Sequence, residues 1–232
     1  MKHSAPILTL VALAAGIVPA AALTVTETTD TYEIAATVVT DGLSHPWGMD
    51  FLPDGAILVT ERSGALRIVR DGAVSQPVPG LPDIAVLGQG GLLDVALAPD
   101  FSETGMVWFT FSDPGNGGAG TALGRGVLEG WQGDSPRLTG TETVFSMENK
   151  TDVGRHFGSR IAFAPDGTVF VTTGDRGQSE RAQDMADHAG AVLRVNRDGS
   201  VPADNPYADD ANAAPEIWSK GHRNIQGAAI DP

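Results

Sequence analysis

The chain contains no cysteine. That excludes disulfide bonds, thiolate nucleophiles and cysteine-ligated zinc, and leaves packing to supply stability. Basic residues are also scarce: 15 Lys plus Arg stand against 29 Asp plus Glu, for a net charge of −14. The acids are scattered along the chain, which reads as a solvated surface. Such a surface disfavours nucleic acid and anionic membranes as partners, and leaves a neutral small molecule unopposed. Long apolar runs are absent beyond the N-terminus, so no membrane span is expected in the mature chain. Helical patterning is equally sparse, since only Glu180 to Ala189 could form a short helix, and it reads as well as a loop.

The N-terminus is different. Met1, Lys2 and His3 precede an apolar run from Ile7 to Leu13 and beyond, which ends in Pro19-Ala20-Ala21-Ala22. A positive start, a short hydrophobic stretch and a small-residue site predict a signal peptide, residues 1–22, and export to the periplasm or outside the cell. Roughly 210 residues follow, enough for one substantial core, and 23–232 is expected to be one domain.

What the chain has in abundance is short β-strand signal. Ile57 to Thr60, Leu66 to Val69, Leu92 to Leu97, Val107 to Phe111, Ile161 to Phe163, Val169 to Thr173 and Val192 to Val195 are apolar or alternating runs separated by Gly, Pro and Asp. A phrase recurs among them: Phe51-Leu52-Pro53-Asp54-Gly55, Leu97-Ala98-Pro99-Asp100-Phe101 and Phe163-Ala164-Pro165-Asp166-Gly167 each precede a strand. Ala229-Ile230-Asp231-Pro232 reads as the next start. A period of about 46 residues plus insertions, with several strands per unit, is the mark of a β-propeller. A β-sandwich accounts for the strands but not for the recurring turn. Because Pro232 sits where a new unit should open, the sequence is expected to be a propeller truncated after about four blades.

The segment His156 to Gly177 carries the first chemical signal. Two strands joined by Pro165-Asp166-Gly167 form a hairpin, which places the residue before the first strand beside the residue after the second. His156 and Asp175 are expected to meet there, and a carboxylate on an imidazole fixes its tautomer and raises its basicity. A lone histidine in such a place is more often a structural residue bonded to a turn. Two further polar islands weigh against that reading. Gln89 lies in Gly88-Gln89-Gly90-Gly91, and Arg223-Asn224 lies in Gly221 to Gly227, each before an inner-strand candidate. In a propeller, comparable positions of successive blades gather at the channel mouth.

Other motifs are weaker. Gly115 to Gly120 formally matches a dinucleotide fingerprint, but a β segment and not a helix follows, so it reads as a loop. Asn149-Lys150-Thr151 matches a glycosylation sequon. Asp184 and His188 are too few for a metal site. Asp204, Asp209 and Asp210 lack calcium-loop spacing and read as a solvated turn.

Taken together, His45-Pro46-Trp47-Gly48-Met49, Gly88 to Leu93, His156 to Arg160, Gly174 to Gly177, Asp198 to Pro206 and Gly221 to Gly227 resemble the soluble quinoprotein glucose and sorbosone dehydrogenase family. The resemblance runs from about His45 to Pro232, and the periplasmic aldose sugar dehydrogenase branch fits better. It implies a six-bladed propeller that binds pyrroloquinoline quinone (PQQ) with Ca2+. The implied reaction oxidises the anomeric hydroxyl of an aldose to a lactone and passes electrons to an external acceptor. By the same resemblance His156 is the catalytic base, Asp175 its partner, Gln89 a substrate-site amide, and Arg223 and Asn224 are quinone contacts. Arg155 stands where the glucose dehydrogenase branch carries an acid, which implies a different sugar preference. The Ca2+ ligands and further quinone contacts are expected beyond residue 232, so this stretch is expected to hold a partial, inactive site. The alternatives are a lactonase-type propeller hydrolase and a non-catalytic propeller that binds sugar or protein.

Overall fold

A computed structural model of the chain describes residues 24–28 and 30–231, and the expected signal peptide, 1–22, lies outside them. The chain divides into two units, Met1–Val39 and Thr40–Pro232. In the first, β1 (Thr24–Thr28) and β2 (Glu33–Thr37) pair antiparallel, from Thr24 opposite Thr37 to Thr28 opposite Glu33.

The second unit is built of antiparallel meanders. The first comprises β3 (Pro46–Phe51), β4 (Ile57–Glu61), β5 (Ala65–Arg70) and β6 (Ala73–Val74). The second comprises β7 (Leu92–Leu97), β8 (Met106–Gly115), β9 (Gly118–Glu129) and β10 (Arg137–Ser146), with the short helix α1 (Phe101–Thr104) between β7 and β8. The third comprises β11 (Ile161–Phe163), β12 (Val169–Thr172), β13 (Ala191–Val195) and β14 (Ile217–Lys220). In each sheet the spatial order of strands is the chain order, the arrangement of a propeller blade. Three four-stranded sheets lie among the described residues, and the phrase opening at Ala229 follows the third.

Period-two patterning stacks the blades. Along β8, Val107, Phe109 and Phe111 enter a core shared with Leu58, Leu66 and Leu92, while Trp108 points the other way into a core with Ile161, Val171 and Leu193. One strand thus feeds two apolar interfaces, because successive side chains leave opposite faces. The recurring turn is the same in two blades: Gly55 N bonds Leu52 O at 2.9 Å, and Gly167 N bonds Ala164 O at 3.0 Å.

A repeated threonine stitches each blade to the next. Thr60, Thr110 and Thr172 each accept, at 2.9 Å, the backbone N–H of their own blade's inner edge, from Gly48, Asp94 and Arg160 respectively. Their hydroxyls donate to the following unit, Thr110 to Ser159 O at 2.7 Å, Thr172 to Ile225 O at 3.2 Å, and Thr60 to Leu93 O. In β3 and β7 the ladder slips opposite this threonine, between Pro46 and Met49 and between Leu92 and Val95. A bulge there leaves an inner-strand carbonyl for a neighbour.

The fingerprint-like glycines are the tip of the β8–β9 hairpin, where Gly115 pairs with Gly118. Glu180 to Ala189 contains a 3-10 turn at Ser179–Gln183 followed by further turns, so Asp184 and His188 share no helix face.

Candidate functional site

The loop between β10 and β11 carries His156, and its backbone there is unusual. His156 has φ 57° and Ser159 φ 92°, left-handed values that non-glycine residues seldom adopt. Tertiary contacts hold them. Thr121 Oγ1 donates to Phe157 O at 2.6 Å, and Gly158 N donates to Asn224 Oδ1 at 2.9 Å. The His156 side chain is 10% exposed.

His156 and Asp175 meet at the end of the hairpin away from the Pro165 turn, as the hairpin predicts. Nδ1 lies 2.7 Å from Asp175 Oδ1, which also accepts Gly177 N at 2.6 Å. An ionised carboxylate only accepts, so Nδ1 carries the proton and Nε2 keeps its lone pair. Among the described residues Nε2 has no hydrogen-bond partner, and it is not one of the sealed, unpartnered atoms. An oriented, buried imidazole with one open nitrogen is suited to accept a proton from a bound hydroxyl.

The other expected residues join the same network. Gln89 is exposed, and its Oε1 accepts the His156 N–H at 2.9 Å, so its carbonyl is used to hold the histidine while its NH2 stays free. Arg223 O accepts the Asp175 N–H at 2.8 Å, which puts residue 223 at the same end of the fold as His156. The Arg223 guanidinium is exposed and makes no ion pair or hydrogen bond with the described residues. Asn224 bridges to Gly174, and its Oδ1 also accepts from Gln226 Nε2 at 3.0 Å, leaving its NH2 free.

Sequence reading passed over other buried polar groups close by. Asp94, on β7, accepts Arg160 NH1 at 2.6 Å and Ile161 N at 2.9 Å. Burial pushes its carboxyl above the ordinary range despite those donors. The signal was present: a lone acid within the apolar strand Leu92–Leu97 needs a partner. Arg176 is fully buried against Phe157, and no periodicity marks it.

Among the described residues no three His, Asp or Glu side chains are placed to share a metal ion. Asp204 instead pairs with Arg194 at 2.9 Å, and Asp210 caps Asn212 N at 2.9 Å. His188 bonds Glu216 at 3.2 Å. A groove of about 760 Å³, lined by Ile68, Arg70, Trp131 and Arg137 among others, involves none of the network residues. That groove lies apart from the chemistry, and the connected network with its open nitrogen defines the candidate site. Among the described residues no helix is long and apolar enough to cross a membrane.

Stacked four-stranded meanders with polar inter-strand loops at one end define a β-propeller, and the comparisons specify which. The sequence profile described as Glucose / Sorbosone dehydrogenase matches residues 43–232. The chain belongs to that family. It is 42% identical over 198 residues to aldose sugar dehydrogenase YliI of Escherichia coli (strain K12), covering 84% of this chain and 53% of that protein. The apo crystal structure of the soluble aldose sugar dehydrogenase from Escherichia coli matches with TM-score 0.80 and 42% identity, over 84% of this chain and 56% of that one. The PQQ-bound aldose sugar dehydrogenase of Streptomyces coelicolor matches with TM-score 0.69 and 29% identity, over 89% and 56%. The chain spans about half the length of the curated relatives it matches, 52% and 53% for two of them.

Proposed function

We propose that this chain carries the proton-accepting part of a PQQ-dependent aldose dehydrogenase that oxidises the anomeric hydroxyl to a lactone. The observation that carries the reading is the His156–Asp175 pair at 2.7 Å with Nε2 open. Family membership supplies the reaction class, and the relatives' names supply the sugar and the quinone.

The free donors fit a polycarboxylate quinone. They are the Arg223 guanidinium and the unused NH2 groups of Gln89 and Asn224, a cation and two amides that match anionic and carbonyl oxygens. Bound there, the quinone supplies the two-electron acceptor for the hydrogen on the anomeric carbon. Nε2 of His156 accepts the hydroxyl proton. Asp175 holds the ring in the required tautomer and balances the imidazolium that forms. Arg223 offers positive charge to anionic oxygens at the site. Gln89 fixes the His156 backbone and keeps one amide donor for substrate. The described residues do not fit Ca2+, because they lack a cluster of ligands.

In this reading the protein is exported, acts in the periplasm or outside the cell, and delivers electrons to an external acceptor. The test uses the full-length gene product loaded with the quinone and assayed by dye-linked aldose oxidation. His156→Ala is expected to lower the rate by about 10²-fold or more. A variant that oxidises aldose at the wild-type rate excludes His156 as the base.

A further inference from the structure

We propose that Arg176 is a positioning residue: its guanidinium clamps both flanks of His156 and so holds the imidazole in the tautomer that leaves Nε2 open. The inference rests on the reading of His156 as the proton acceptor.

Arg176 follows Asp175 directly in the chain, and its residue is 0% exposed. Its guanidinium carbon lies 3.4 Å from the centroid of the Phe157 ring, the residue after His156. Its NH1 donates to the carbonyl of Arg155, the residue before His156. Its NH2 donates to Val153 O at 2.6 Å and reaches Ala119 O at 3.5 Å, which ties the loop to β9 of the preceding blade. One planar group therefore grips the chain on either side of the histidine and anchors it to a second sheet.

Packing alone does not call for an arginine here. No carboxylate pairs with the guanidinium among the described residues, and Nε is sealed without a partner. Such a cation is costly to bury, and methionine would fill much of the same space. Burial lowers its pKa to about 10, so it stays charged at neutral pH. What the fork and plane provide is two carbonyl bonds plus a stacked ring from a rigid group, which a lysine cannot reproduce. The loop needs that hold because His156 sits at φ 57°, a conformation that persists only when its surroundings impose it. If the loop relaxes, the 2.7 Å contact with Asp175 lengthens and Nδ1 no longer monopolises the proton.

The test uses full-length protein with 15N-labelled histidine, and reads the two ring nitrogens of His156 by two-bond proton–nitrogen correlation at neutral pH. The signals are assigned by their loss in His156→Gln. Wild type is expected to show one tautomer, protonated at Nδ1, and Arg176→Met a mixture. In the quinone-loaded enzyme kcat is expected to fall on the order of 10²-fold, the scale of an ångström's misplacement. KM for the sugar should change less than about threefold, since no substrate contact is removed. Arg176→Lys should fail to restore either readout. Should Arg176→Met not fold, Phe157→Leu keeps the charge, removes the stacked ring, and is expected to show the same mixing. An unchanged tautomer in the folded variant, or full restoration by lysine, overturns the clamp. The spectrum needs no turnover, so it stands apart from the His156→Ala assay, whose failure would reject the base and leave the clamp intact.

Discussion

Arg160 NH1 lies 2.6 Å from Asp94 Oδ1, so an acid on the inner strand of one blade is paired with an arginine at the head of the inner strand of the next. Asp94 is nearly sealed, with a side chain 3% exposed, while Arg160 is 30% exposed and rests its guanidinium carbon 4.9 Å from the Trp47 ring centroid. Its other carboxylate oxygen holds the Ile161 N–H at 2.9 Å. The pair therefore fixes the strand that follows the His156 loop.

Asp94→Ala leaves the Ile161 N–H without its acceptor and Arg160 without its anion. The expected cost is about 2–3 kcal/mol, below that of a fully buried pair because Arg160 reaches solvent. Thermal unfolding of the full-length protein measures it. A melting temperature equal to wild type would show that the pair contributes nothing.

The stitching threonines give a second expectation. Thr110→Val keeps the shape but strips the acceptor for Asp94 N and the donor to Ser159 O, both buried. The loss should be about 2 kcal/mol, and Thr110→Ser, which keeps the hydroxyl, should lose less than about 1 kcal/mol. Chemical denaturation of both variants separates the bond from the methyl. Equal losses would assign the effect to packing.

These two relationships mark the boundary of what the sequence discloses. Short apolar runs located β7 and β11 to the residue, and the Pro-Asp-Gly turn predicted where His156 and Asp175 would meet. Four glycines make β9 (Gly118–Glu129) unreadable by hydrophobic alternation, and β10 (Arg137–Ser146) is largely polar because it lies at a sheet edge. The threonine of each second strand was visible as a strand residue, but the carbonyl it donates to comes from the following unit. Arg176 escaped for the same reason: what it grips is backbone carbonyl, which leaves no trace in side-chain pattern.

Glu216 carries a pH dependence. Its hydrogen bond from His188, the larger influence, outweighs burial and holds its carboxyl below the ordinary 4.5. A folded pKa below the unfolded one means stabilisation that is present above pH 4.5 and is lost as pH falls through the folded value. Glu216→Gln should therefore reduce stability at neutral pH, and the difference from wild type should shrink toward acid. Denaturant midpoints at neutral and acidic pH measure the trend, and a difference that grows on acidification would reverse the assignment.

Gly174 lies two residues past β12, just before Asp175, and a methyl placed there would come within 2.0 Å of the His156 carbonyl oxygen and 2.4 Å of its carbonyl carbon. Glycine is needed here for closeness, because the contact is to backbone that cannot swing aside. Gly174→Ala must push the His156 loop away from Asp175, and the open nitrogen moves with it. Loss of activity on the order of 10²-fold is expected, with a lowered melting temperature. Gly167→Ala supplies the comparison, since a methyl there meets nothing within 4 Å, while its φ of 88° still makes any side chain strained. That variant should lose stability of about 1–2 kcal/mol and keep its kcat, because the strain falls at the far end of the hairpin. If both substitutions lowered kcat equally, closeness at residue 174 would have no separate part in placing His156.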